Sequence, residues 1–167
     1  MKPTSIKRIC LLSIAALTFL FTTSCEQDKV EPEMSAAPGG GTITTFKAYT
    51  LSSADANDIY GRIVFWKDNT GGTLVQISLY NTIEGDVYPS GIFAGESDAA
   101  SDTELISLYP INGETGEFST SKFFVIPDKT FYDGLDEYDA YVQVLLEDDA
   151  VAIGNVGVNA DPVDEDE

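Results

Sequence analysis

Residues 61–80, GRIVFWKDNTGGTLVQISLY, form the stretch that decides the fold. Two runs rich in β-branched and aromatic residues flank the loop sequence DNTGG at residues 68–72. Its glycines supply the positive φ angles that a short hairpin loop requires. The pattern therefore predicts a β-hairpin, and one face of that hairpin must be buried by the rest of the chain.

The register of this hairpin follows if Lys67 lies opposite Thr73. One face is then fully apolar, and its cross-strand pairs are Phe65 with Val75 and Ile63 with Ile77. The other face is mixed, and its pairs are Trp66 with Leu74, Val64 with Gln76 and Arg62 with Ser78. A slip of one residue exchanges the two faces and brings polar side chains into the core, so we expect the register to be well fixed.

Shorter strand patterns continue along the chain, and no window shows the 3.6-residue period of a helix. Loops rich in Gly, Asn and Asp separate them, Pro89 marks an edge or a bulge, and Leu135 is expected to be buried within an irregular connection. The further strands are predicted over residues 42–50, 87–95, 104–109, 118–126, 138–146 and 150–158. With the hairpin these give about eight strands, so the predicted fold is an all-β, single Greek-key β-sandwich over residues 42–160.

The first 24 residues have the order of a secretory signal peptide. Residues 1–8 carry three basic side chains and no acid, residues 9–21 are largely apolar, and small residues lead to Cys25. The apolar run is shorter than the roughly 20 residues that span a bilayer. Small residues ending in a cysteine resemble the lipobox of bacterial lipoproteins, although Thr22 stands where Leu is usual. The acidic start of the mature chain resembles the surface-export signal of Bacteroidetes-type lipoproteins.

This resemblance implies cleavage before Cys25 and acylation of its thiol; the alternative is ordinary secretion with an incidental cysteine. Cys10, the other cysteine of the chain, lies in the predicted signal peptide, so the mature chain keeps a single thiol. Three acyl chains at about 0.8 kcal/mol per buried CH₂ make a permanent membrane anchor. We therefore predict an outer-membrane lipoprotein exposed at the cell surface. Residues 25–41 are predicted to be a flexible acidic and Gly-rich tether, and residues 161–167 an acidic tail.

Charge and composition exclude several classes of function. The sequence has 9 Lys+Arg against 28 Asp+Glu and no histidine. Such an acidic chain repels nucleic acid, so no nucleic-acid partner is predicted. Without histidine, Ser-His-Asp and Cys-His catalytic units are excluded. We predict a non-enzymatic protein without a cofactor, and leave open whether carboxylates in the loop around residues 55–58 or in the tail bind Ca²⁺.

The order of motifs over residues 60–159 resembles the CHRD domain, first recognised in chordin and related in fold to Cu,Zn superoxide dismutase. The matching segments are GRIVF at 61–65, VYPSGIFAG at 87–95, LYPING with a following glycine at 108–116, the strand at 135–144 and AIGNVG at 152–157. The resemblance implies a dismutase-like sandwich. It also implies that the family's metal-binding histidines fall on Gly91, Phe93 and Leu145.

None of these three residues can hold a transition metal, because such sites need imidazole or thiolate donors. We therefore predict a metal-free scaffold without dismutase chemistry. Phe93 and Leu145 are expected to fill the vacated site as core residues. Since Ile92 and Phe93 alternate along a strand, one of the two must point inward, and a core position for Phe93 makes truncation to alanine cost about 3–5 kcal/mol.

Trp66 is the candidate binding residue, because the hairpin register puts it on the face opposite Phe65. If that face is exposed, Trp66 and nearby tyrosines can stack on a sugar ring or on a partner's side chain. The alternative is that the second sheet or a loop covers Trp66. Two functions are therefore predicted: a lipid-anchored module that binds a glycan or protein partner at the bacterial surface, or a structural subunit of an envelope assembly without a soluble ligand.

Overall fold

The structure is a computed structural model that describes residues 43–54, 58–99, 101 and 103–163. Several sequence predictions fall outside these residues: the signal peptide, acylation at Cys25, the tether over residues 25–41, the centre of the loop at 55–57 and the tail from residue 164. They stay predictions.

Eleven strands and one short helix make up the regular structure of the described part. The strands are β1 (Ile43–Ser53), β2 (Tyr60–Asp68), β3 (Thr73–Tyr80), β4 (Val87–Tyr88), β5 (Ser90–Ala94), β6 (Glu104–Ser107), β7 (Ile111–Asn112), β8 (Glu117–Phe118), β9 (Phe124–Ile126), β10 (Asp139–Leu146) and β11 (Asp149–Gly157). Helix α1 (Phe131–Gly134) has four residues and runs into a 3-10 turn at Leu135–Glu137; a second 3-10 turn is Ser97–Ala99.

Eight of the strands form one curled antiparallel sheet in the order β6-β5-β10-β11-β1-β2-β3-β9, and β4, β7 and β8 form a small second sheet. The prediction of an all-β sandwich is confirmed. Strands that are neighbours in sequence pair within β1-β2-β3, β5-β6 and β10-β11. The connections from β3 to β5, from β6 to β9 and from β9 to β10 instead link strands that lie far apart in the strand order of the sheet. These connections give the Greek-key character of the fold.

The β2–β3 hairpin has the predicted register at all six predicted pairs, from Lys67 opposite Thr73 to Arg62 opposite Ser78. The face predicted to be apolar is fully buried, because Ile63, Phe65 and their partners are inaccessible to solvent. The loop closes through a hydrogen bond from the Asp68 N–H to the Gly72 carbonyl at 3.1 Å. Gly71 has φ +84°, the conformation for which the glycines were expected.

The predicted strand over residues 118–126 is wrong as a single element. Its first residue belongs to β8, which pairs with β7 in the small sheet, and its last three form β9, which pairs with β3 in the large sheet. The predicted strand over residues 87–95 divides in the same way into β4 and β5 on either side of Pro89. In both places the chain changes sheets, which a run of strand-forming residues does not reveal.

The connection over residues 127–138 packs against β1 and β2. Leu135 is buried, as predicted. The Phe131 ring lies 5.9 Å from that of Phe65 in the core. The Tyr132 ring lies within 6 Å of the ammonium groups of Lys47 and Lys67, each of which also pairs with an aspartate of the connection. Aromatic packing and charge pairing together hold this segment against β1 and β2.

Candidate functional site

The face of β1, β2 and β3 that points away from the core carries the predicted binding residue, and we call it the outer hairpin face. Because side chains alternate along a strand, the cross-strand register fixes its members. They are Phe46, Ala48, Thr50, Tyr60, Arg62, Val64, Trp66, Leu74, Gln76, Ser78 and Tyr80.

At one end of this face, Tyr60 and Tyr80 lie directly opposite each other on β2 and β3. Their rings stack with centroids 5.2 Å apart and planes inclined by 29°. Both are exposed, Tyr60 by 48% and Tyr80 by 54%. Two large rings with polar tips, held together and open to solvent, form a preordered aromatic platform.

Arg62 stands next to this platform, two residues along β2 from Tyr60 and on the same face. Its side chain is exposed, and no salt bridge to Arg62 occurs among the described residues. Thr50 and Ser78 flank it on the neighbouring strands. A guanidinium group presents five donors in a fixed plane, so this end of the face combines stacking surface with directed hydrogen-bond donors.

Trp66 lies at the other end of the outer hairpin face, about 20 Å from Tyr60 at the usual rise of a strand. The structure places it half-buried, with its ring 4.7 Å from that of Phe46 on β1. Its indole N–H is buried and has no hydrogen-bond partner in the described structure. The more open aromatic surface of this face is therefore the tyrosine pair rather than Trp66.

Gly91, Phe93 and Leu145, the three positions to which the CHRD resemblance would assign histidines, lie together. They line one cavity of about 250 Å³ on the outer side of β5 and β10, together with Glu104 and Gln143. A Cβ atom added to Gly91 would lie 2.7 Å from the Glu104 carboxylate and 3.1 Å from the Phe93 ring, so the small residue there lets both groups approach the strand.

The expectation that Phe93 and Leu145 are core residues is wrong. Both are only partly buried and lie outside the hydrophobic core. On this strand Ile92 points inward instead, with 3% of its surface exposed. The Phe93 ring stacks on Tyr141 of β10 at 5.5 Å. The alternation was recognised correctly, but the resemblance assigned the inward direction to the wrong member of the pair.

Two Asp-x-Thr turns hold an aspartate carboxylate in several hydrogen bonds. Oδ1 of Asp68 accepts hydrogen bonds from the N–H and hydroxyl of Thr70 at 2.8 and 2.7 Å and from the Gly72 N–H at 2.9 Å. Burial opposes ionisation of Asp68, but these hydrogen bonds outweigh it and hold the pKa below the usual value. Asp128 accepts the same two bonds from Thr130, which lower its pKa as well.

Within the described residues, no group of three or more His, Cys, Asp or Glu side chains is placed to hold a metal ion. The described part also contains no helix long and apolar enough to cross a membrane. Comparison of the chain with protein-family models, with curated proteins and with solved structures gives no match. The resemblance to the CHRD domain therefore stays a prediction.

Sequence reasoning missed the Tyr60–Tyr80 platform, although the signal was present. The register that puts Arg62 opposite Ser78 puts Tyr60 opposite Tyr80 two residues further along. The register does not predict that the two tyrosines are exposed, because their exposure depends on which loops cover this end of the sheet.

Proposed function

We propose that this chain is a lipid-anchored, non-enzymatic module of the bacterial outer membrane that binds a glycan at the cell surface through the outer hairpin face. The observation that carries the proposal is the exposed, stacked Tyr60–Tyr80 pair beside Arg62. The C–H face of a sugar ring packs on an aromatic ring, and its hydroxyl groups accept hydrogen bonds from a guanidinium group. Trp66 is a candidate contact at the far end of the same face.

The chemistry of the chain supports binding rather than catalysis. The sequence contains no histidine, and the predicted mature chain has six basic against 28 acidic residues. Arg62 is then the single arginine of the mature chain, and it stands on the proposed binding face. Neutral sugars fit this site best, because the overall negative charge weakens the approach of acidic ligands.

A glycan array probed with the mature chain tests the binding proposal. The double substitution Tyr60→Ala with Tyr80→Ala should abolish the signal. The matched control is Ile83→Ala with Val87→Ala, which removes two side chains of similar exposure outside this face. Loss of signal in both variants, or in neither, contradicts the proposed site.

The anchor is tested separately by replacing Cys25 with serine. The variant should be absent from the processed outer-membrane lipoproteins and appear as uncut or soluble protein. If it still fractionates with them, the acylation proposal fails. A chain that binds no glycan but co-purifies from native membranes in a defined assembly supports the alternative function as a structural subunit or as a module with a protein partner.

A further inference from the structure

The curled sheet has two edge strands, β6 and β9, which do not pair with each other but both contribute residues to one cavity. This cavity, of about 260 Å³, lies between them on the core side of the sheet. Leu105 and Ile106 of β6 form one wall and Ile126 of β9 the other, while Phe131 and Leu135 of the connection over residues 127–138 close the floor. This cavity is separate from the outer hairpin face, which lies on the opposite side of β1 to β3.

Leu105 is 47% exposed and Asp128 is also exposed, so these two residues mark the mouth of the cavity, whereas Ile126, Phe131 and Leu135 are buried inside. Protein interiors are normally close-packed and leave few voids larger than a water molecule. An engineered apolar cavity of roughly 150 Å³ stays dry and takes up benzene. A larger, apolar-walled cavity with an open mouth is thus suited to an apolar guest rather than to water.

The charge at the mouth narrows the class of guest. Oδ1 of Asp128 is occupied by the N–H and hydroxyl of Thr130, each at 2.8 Å, which stabilises the ionised form. The rest of the chain is also strongly acidic. An anionic head group at this mouth is therefore repelled, while a hydroxyl or an ammonium group is accepted.

We propose that the cavity between the β6 and β9 edges binds the alkyl chain of a small neutral or cationic amphiphile, whose polar head lies beside Asp128. The ligand enters past Leu105, its chain contacts Ile106, Ile126 and Phe131, and its head stays at the surface. This site works independently of the proposed glycan-binding face.

The test uses the predicted mature chain, residues 25–167, with Cys25→Ser, so that neither an acyl chain nor detergent competes for the cavity. Linear alcohols from butanol to octanol are titrated by calorimetry or by ligand-observed NMR. Affinity should rise about fourfold per added methylene, as expected for burial of each CH₂, until the cavity is filled. Affinity that does not depend on chain length overturns the proposal.

Two matched substitutions locate the site. Leu105→Trp blocks the mouth and should weaken octanol binding by at least about tenfold. A tenfold loss corresponds to keeping slightly fewer than two methylene groups of the octanol chain out of the cavity. Val125→Trp, on the other edge strand and 50% exposed but outside the cavity lining, should leave it unchanged. Equal effects of the two substitutions, with circular dichroism showing that both variants fold, contradict the assignment.

The head-group selectivity is tested with octylamine and octanoate at pH 7. Octanol and octylammonium should each bind about tenfold more tightly than octanoate, and Asp128→Asn should reduce that difference. Glu114→Gln, an exposed acid that does not line the cavity, is the control and should preserve it. Octanoate binding as tight as that of octanol refutes the proposed ligand class.

Discussion

Two cross-strand aromatic pairs, Tyr60–Tyr80 and Phe93–Tyr141, have nearly the same local geometry and different surroundings. Their ring centroids are 5.2 and 5.5 Å apart, and their planes are inclined by 29° and 24°. Both lie on sheet faces that point away from the core. Tyr60 and Tyr80 are exposed, whereas Tyr141 is 1% exposed and its hydroxyl donates to the Ser101 carbonyl at 2.8 Å. Register fixes the geometry of a pair, but a covering loop decides whether the pair stabilises the fold or stays available to a ligand.

The largest expected difference between the pairs is in stability. Tyr141→Ala removes a buried ring and should lower the free energy of unfolding by about 3–5 kcal/mol. Tyr80→Ala removes an exposed ring and should cost about 1 kcal/mol, the value of an aromatic contact at the surface. Denaturant unfolding of the two variants measures the difference. Equal losses would mean that coverage by the loop does not matter.

Phe93→Ala measures how much Phe93 contributes to stability, separately from Tyr141. Because Phe93 is only partly buried, its removal should cost about 1–2 kcal/mol, mainly through the stacking contact with Tyr141 and the area it covers. This is less than the 3–5 kcal/mol that a core position implies. A loss in the higher range would restore the expectation that Phe93 is a core residue.

Removal of single hydroxyl groups compares two buried tyrosines. Tyr141→Phe loses the hydrogen bond to Ser101 and should destabilise the fold by about 1 kcal/mol. Tyr49 is also buried, and this burial raises the pKa of its hydroxyl. Among the described residues that hydroxyl has no hydrogen-bond partner, because the Gly157 backbone, which partly offsets the rise in pKa, lies without hydrogen-bond geometry. Tyr49→Phe should therefore be neutral or stabilising by up to about 1 kcal/mol, so that thermal unfolding shows a loss of stability only for Tyr141→Phe.

The two Asp-x-Thr turns give the smallest effect and the one that depends on pH. The pKa of Asp68 is lowered in the folded state, so its contribution to stability is present above the unfolded value of about 3.9 and is lost as the pH falls through the folded value. Asp68→Asn should cost about 1 kcal/mol at pH 7 and nothing below the folded pKa. Asp128→Asn, at an exposed turn, should change less at every pH. An Asp68→Asn cost that does not change with pH would contradict this account.

Much of the fold was predictable from alternation and loop chemistry. The β2–β3 register followed from one apolar face and the glycines of the loop, and it is exact at every predicted pair. The division of residues 118–126 between two sheets was not predictable, because it is set by the distant strands with which β8 and β9 pair. Local sequence specifies that a segment is extended, while its partner is chosen by the tertiary structure.

For the candidate site, too, the face of a side chain was predictable, whereas its contacts with other strands were not. The hairpin register correctly predicted the face of Trp66, but not its contact with Phe46, which lies on a third strand, β1. The resemblance to the CHRD domain led to the prediction that Phe93 lies in the core, although Ile92 is the residue that enters it. Side-chain coverage by loops and by neighbouring strands is the part that periodicity does not encode.

Binding isotherms of the wild-type chain, Tyr80→Ala and Phe93→Ala with one glycan identified on the array test the central claim most directly. The account predicts that Tyr80→Ala weakens binding by about tenfold or more, a loss of about 1.4 kcal/mol, while Phe93→Ala changes it by less than about twofold despite its larger cost in stability. If Tyr80→Ala binds like the wild type, or if Phe93→Ala loses binding to the same degree, the exposed tyrosine pair is not the binding site.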